Sequence, residues 1–275
     1  MWCAVHDTPF LASPRIAFNS DAKTFVDHES KIRYKGVTKL LAASFYPEYT
    51  YRDRKKPRRV RWRGKPGVTD QRSGSRKRNS GKKGLSRGRS VDRQLGVWVQ
   101  RSKICCSLCA RLQPKNIRST IPGSSGVLGV PRPCKDPFAL AVCAKLAEIR
   151  LVPVAAQVVV ADRQRCIATA VDLVCRNADG EYVLIEIKSG FERTLHASTG
   201  NLLHAPFASI NKSDCPLNQF HLQLLVTSVL FRLTFPDCTN VGWPQIMITN
   251  AAGCTVVPLA HWAVRTGARL LPFLG

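Results

Sequence analysis

Asp172 and the run Val183-Leu184-Ile185-Glu186-Ile187-Lys188-Ser189-Gly190 place two carboxylates and an ammonium in segments that read as neighbouring β-strands. Carboxylate oxygens are hard ligands suited to Mg²⁺ or Mn²⁺, and an ammonium beside them can orient water and offset charge at a phosphodiester. In the second segment Val183, Ile185 and Ile187 alternate with Leu184, Glu186 and Lys188, so the two charged residues share a face with an apolar one. Charges on such a face need a partner, and a metal ion meets that need.

Whether the acids meet depends on register. Ile167 to Val174 reads as the preceding strand, and Asn177-Ala178-Asp179-Gly180 as the turn after it. A three-residue loop, Ala178-Asp179-Gly180 with the glycine left-handed, pairs Asn177 with Glu181 and sets Asp172 opposite Glu186. A two-residue Asp179-Gly180 loop sets Asp172 opposite Ile187 and puts the acids on opposite faces, because a slip of one residue inverts a strand. The sequence permits both turns, and only the first makes a site.

The elements that must hold these residues follow from periodicity and end signals. Residues 1–51 are expected to form an N-terminal helical segment, with a short helix from Gly36 to Phe45 ending before Pro47. Residues 52–89 form a basic, disordered insert, and 90–275 the core. Ser90 is a candidate N-cap for a helix with Val91, Leu95, Trp98 and Val99 on one face. Asp92, in its first turn, either complements the helix dipole or is an accessory site residue. Ile121 to Pro133 is rich in Gly, Ser and Pro and reads as a loop. Asp136 caps a helix with Pro137 in its first turn, running to about Ile149. Strands are expected at Val154–Ala161, Cys166–Arg176 and Glu181–Ser189. A helix from Asp214-Cys215-Pro216 to about Phe235 carries Gln219 and Gln223 one turn apart, and two strands follow near Gln245–Thr249 and Thr255–Leu259. There is no internal repeat.

At 275 residues and 44% hydrophobic content the chain can bury one good core. A net charge of +24 and a pI near 10.2 point to a polyanionic partner, nucleic acid above all. Charge alone does not separate an enzyme from a packaging protein. The candidate contacts are Arg58, Arg59, Arg61, Arg76, Lys77, Arg78, Lys82 and Lys83 in the insert, with Arg193 and Lys212 in the Phe191–Ser213 connection, which also holds His196 and His204. Trp62, between Arg61 and Arg63, could stack on an unpaired base. The start Met1-Trp2-Cys3-Ala4 lacks the features of a signal peptide, and Leu151 to Ala161 is too short to cross a bilayer. A soluble, intracellular protein is expected, with nuclear import as one use of the basic blocks.

Of the eleven cysteines, Cys143, Cys166 and Cys175 fall in apolar runs as small hydrophobes, where disulfides are not expected. Cys106 and Cys109 form a Cys-X-X-Cys pair with no second pair at zinc spacing. His221 is about 200° around its helix from Gln223, which makes it a surface or packing histidine.

The order of helix, three antiparallel strands, helix and further strands, with Asp172, Glu186-Ile187-Lys188, Ser189-Gly190 and Gln223, resembles the PD-(D/E)XK nuclease superfamily. The similarity is to its branch containing RecB and phage lambda exonuclease, and it is clear from about Val154 to Phe235. It implies an α/β fold (an α+β sandwich) of the restriction-endonuclease-like kind, a central mixed sheet flanked by helices. It also implies that Asp172, Glu186 and the Ile187 carbonyl bind Mg²⁺ or Mn²⁺, that Lys188 orients or deprotonates water, and that Gln223 is a fourth catalytic member. The chain departs from the family pattern at Gln157, where a Glu is frequent, at Asp92, where His or Glu is frequent, at Thr169, where a small residue is common, and at Thr227, where a Tyr is. Cys215, Cys238 and Cys254 are scattered, unlike the clustered cysteines of relatives that carry iron and sulfur. The implied activity is a metal-dependent deoxyribonuclease, with exonuclease as the expected mode and 5′-phosphate products, serving DNA replication, recombination or repair, with a viral or mobile-element genome as one setting. The alternatives are an inactive basic nucleic-acid-binding protein on a nuclease-like fold and a structural protein of a nucleoprotein particle.

Overall fold

The computed structural model describes residues 16–19, 24–45, 88–99, 136–191, 195–197, 202–203, 212–250 and 252–270. The basic insert up to residue 87 and the 121–133 loop lie outside them.

The chain runs β1 (Ile16–Asn19), β2 (Thr24–Asp27), β3 (Arg33–Gly36), α1 (Val37–Ser44), α2 (88–99), α3 (Pro137–Glu148), β4 (Val152–Asp162), β5 (Ile167–Arg176), β6 (Tyr182–Ser189), α4 (Pro216–Thr234), β7 (Gln245–Asn250), β8 (Gly253–Pro258) and α5 (His261–Leu270). All eight strands join one mixed, open sheet. One face is covered by α1, α4 and α5, where Leu41, Leu222, Phe231 and Ala263 pack on Val160, Leu184 and Ile246. The other is covered by α2 and α3, where Val91, Leu95, Val142 and Leu146 pack on Leu173, Val183, Ile185 and Met247. The molecule is thus an α+β sandwich, as expected at that level.

Four expectations need correction. The N-terminal segment is helical only over α1 among its described residues; before it comes an antiparallel meander, in which Ile16, Phe25 and Tyr34 pack on Val159 and Ala168. Alternating aromatic and β-branched residues such as Thr24-Phe25-Val26 favour this extended form. Helix α2 is already formed at residue 88, so Ser90 lies inside it and does not cap it; its Oγ donates to Asp136 Oδ2 at 2.8 Å. Thirdly, α5 was not foreseen. The fourth correction is local to β4. Gln157 takes a left-handed φ of 52°, which breaks an expected regular strand.

The N-terminus of α3 follows its sequence signals. Asp136 Oδ1 accepts the N–H groups of Phe138 and Ala139, and Pro137 occupies the first turn. The Asp136 N–H donates to Gln94 Oε1 at 2.9 Å, which fastens α3 to α2.

Strand order creates a fork. β4 occupies one whole edge of β5, while the opposite edge is shared: β3 pairs in parallel with Ile167 and Ala168, and β6 pairs antiparallel with Leu173–Arg176. From Ile185 onward β6 runs beside β7, Glu186 against Ile246 and Lys188 against Ile248. Asp172 stands where β5 and β6 part.

Candidate active site

The turn between β5 and β6 is the three-residue one. Leu173 pairs with Ile185 and Arg176 with Tyr182, a register that, continued by one residue, sets Asp172 opposite Glu186. Gly180 has φ 81°, its N–H donates to the Asn177 carbonyl, and the Asn177 N–H donates to the Glu181 carbonyl. The Asn177 side chain closes the same turn a second time, with Oδ1 accepting the Glu181 N–H and Nδ2 donating to Glu181 Oε2.

At the fork the usual ladder bond is replaced. The Ile187 N–H donates to Asp172 Oδ2 at 2.8 Å, so a side-chain oxygen takes the place of a β5 backbone acceptor. Gln157, on the far strand, donates from Nε2 to Asp172 Oδ1 at 3.2 Å. The residues packed beneath α4 are three apart on both strands here, Ala155 and Val158 on β4 and Val171 and Val174 on β5. Even spacing is required for strands that keep their faces, so β4 and β5 invert together at Gln157 and Asp172. A left-handed non-glycine residue costs about 1–3 kcal/mol and persists only where its surroundings enforce it.

Glu186 and Lys188 project to the α4 side and meet Gln223 there. Lys188 Nζ donates to Glu186 Oε1 in a short ion pair and to Gln223 Oε1 at 3.1 Å. Gln223 Nε2 donates to the same Glu186 oxygen at 2.7 Å, closing a triangle of one carboxylate, one ammonium and one amide. Helix α4 positions Gln223 because it is apolar nearly all round and buried, with Leu222, Leu224, Leu225 and Val226 fixing its rotation. Thr227, where the resemblance leads one to look for Tyr, is fully buried and its Oγ1 donates to the Gln223 carbonyl. One contact had no counterpart in the sequence reading: the Phe220 ring lies 4.9 Å from Lys188 Nζ. Its spacing of three from Gln223 was the only available signal.

The electrostatics are those of an anionic cluster short of cations. Burial raises the pKa values of Asp172 and Glu186, and the Asp172 charge adds to the rise at Glu186. Asp92 on α2 is also raised, first by burial and then by the charges of Asp172 and Glu186, which places this accessory candidate within electrostatic reach of the site. For Lys188, burial opposes the ammonium, yet the charges of Glu186 and Asp172 outweigh it and hold the pKa above its ordinary value. The lowering that burial beside Leu184 would favour is thus overcome.

Three carboxyls against one ammonium leave negative charge that a hard dication would offset. Among the described residues no three His, Cys, Asp or Glu side chains are gathered as a metal-binding group, and the Ile187 carbonyl would be a further oxygen ligand for an ion here. Gln157 adds an amide, without charge. Gly88 on α2 adjoins this end of β6, since a Cβ there would lie 3.8 Å from Ser189 Oγ.

Of the nucleic-acid candidates, only Lys212 falls among the described residues; its carbonyl accepts the Leu203 N–H, beside the bridge between Leu202 and Ser213. Arg58, Arg59, Arg61, Arg76, Lys77, Arg78, Lys82, Lys83 and Arg193 lie outside, as do Trp62, His204 and the Cys106/Cys109 pair. The described cysteines, including Cys143, Cys166 and Cys175, are free thiols. No described helix is long and apolar enough to cross a membrane. No protein-family model matches the chain, and no curated protein is significantly similar to it.

Proposed function

We propose that this protein is a Mg²⁺- or Mn²⁺-dependent nuclease of the PD-(D/E)XK type, acting on DNA. The observation that carries the proposal is the convergence of Asp172, Glu186, Lys188 and Gln223 at the fork between β5 and β6, with three raised carboxyls around one ammonium. A buried anionic excess of this kind is costly in a purely structural role and is relieved by a bound dication.

Asp172, Glu186 and the Ile187 carbonyl would hold the ion, which when bound supplies Lewis-acid charge to a phosphodiester and to the attacking water. The Lys188 ammonium orients that water and offsets negative charge as it grows on the phosphate. Gln223 fixes both Lys188 and Glu186, so neither side chain needs to be ordered when substrate arrives. Asp92 adds a carboxyl from the opposite layer. Gln157 holds Asp172 by a hydrogen bond and brings no charge, which favours one tightly held ion over two. The net charge of +24 supports a nucleic-acid substrate.

The test is cleavage by purified protein. Wild type should cut DNA with Mg²⁺ and stop with chelator, and Asp172→Ala and Lys188→Ala should lose at least roughly a hundredfold in rate while folding and binding DNA normally. Cleavage that persists in both variants would refute the assignment. An inactive binding protein on the same fold predicts DNA binding with no metal-dependent cleavage in any variant.

A further inference from the structure

Lys188 has a third neighbour besides Glu186 and Gln223. Its ammonium lies 4.9 Å from the centroid of the Phe220 ring, and the Phe191 ring meets Phe220 edge-on at 4.9 Å. Phe191 is set by the chain itself, since it follows Gly190, whose φ of 83° turns the backbone out of β6. Phe220 stands three residues before Gln223 on α4, so both side chains leave the helix on the same side. A cation over an aromatic face is attracted by the ring quadrupole, more strongly where water is excluded. Here the Lys188 side chain is only 17% exposed.

The three restraints on Lys188 differ in kind. Glu186 Oε1 already accepts from both Lys188 and Gln223, and any metal on Glu186 would draw on the same negative charge. The Phe220 ring is neutral and does not ligate hard cations, so its attraction for the ammonium does not depend on how that carboxylate is shared. We infer that Phe220 is a positioning residue, which keeps the Lys188 ammonium in its working place by a cation–π contact. The inference rests on the nuclease proposal.

The test separates the ring's charge distribution from its shape. Fluorinated phenylalanines at position 220 weaken the quadrupole progressively while nearly preserving volume, Phe220→Leu removes it, and Phe220→Tyr retains it. Single-turnover cleavage at saturating DNA and Mg²⁺ should fall stepwise along the fluorinated series and by roughly tenfold in Phe220→Leu, with Phe220→Tyr close to wild type. DNA affinity should not change, and the fluorinated variants should keep the melting temperature of wild type, which a general packing defect would not allow. Without substrate, the NMR resonance of the Lys188 ammonium should show a ring-current displacement that disappears in Phe220→Leu. A Lys188-dependent enzyme whose rate is level across the series, or an undisplaced ammonium resonance, overturns this inference alone. Absence of Mg²⁺-dependent cleavage in wild type, or cleavage surviving Lys188→Ala, overturns the nuclease proposal and this inference with it.

Discussion

His221 lies two residues before Gln223 but faces away from the site, where its Nδ1 accepts the Ala260 N–H at 3.3 Å and its ring meets Trp262 edge-on. Burial pushes its pKa down to about 4, against about 6.5 for an exposed histidine. The folded protein therefore holds it neutral, and the unfolded chain takes up the proton first as pH falls. This contribution to stability is complete above pH 6.5 and is lost as pH falls from 6.5 to 4. Protonation would also cost Nδ1 its role as acceptor and loosen the start of α5. Denaturant melts at a series of pH values should thus show a steeper loss of stability in this window for wild type than for His221→Asn. Equal slopes would mean that another group dominates the acid response.

Gly180 carries a comparable dependence at the level of a hairpin. An L side chain at its φ of 81° costs about 1–2 kcal/mol, and a Cβ there would come within 3.3 Å of the Arg176 guanidinium. Gly180→Ala should lower unfolding free energy by about that amount, measured by chemical denaturation. It should also reduce cleavage, because a shifted turn moves Asp172 away from Glu186. The sequence left two turns open, and the choice between them is made by the Asn177 side chain, whose two bonds to Glu181 span a three-residue loop. By contrast, the cap of α3 was legible because Asp136-Pro137 carries both of its end signals. So were β4, β5 and β6, whose long apolar runs admit few other readings. Two kinds of feature were not legible. β3 is only Arg33-Tyr34-Lys35-Gly36, too short and too charged to show a period, and its place is set by pairing with Ile167 and Ala168. The left-handed Gln157 has no marker in its own side chain, since it is imposed by two strands inverting together.

Across the whole molecule the dominant quantity is charge, +24 spread unevenly along the chain. Each phosphate neutralised contributes about 0.9 to the slope of log affinity against log salt. Replacing Arg58, Arg59, Arg61, Arg76, Lys77, Arg78, Lys82 and Lys83 by Gln should flatten that slope by several units while leaving the single-turnover rate at saturating DNA nearly unchanged. An unaltered slope would remove the basic segment from the DNA interface. Gly88 abuts Ser189, the residue after Lys188. A chain spans at most about 3.6 Å per residue, so Lys83, five positions earlier, stays within about 18 Å of Gly88 in any conformation. Covalent connection alone therefore tethers the Lys83 ammonium to this end of β6, as a linker ties a ligand to its site. If the protein acts on DNA as proposed, a phosphate that reaches Ser189 would lie within the span of this tethered cation.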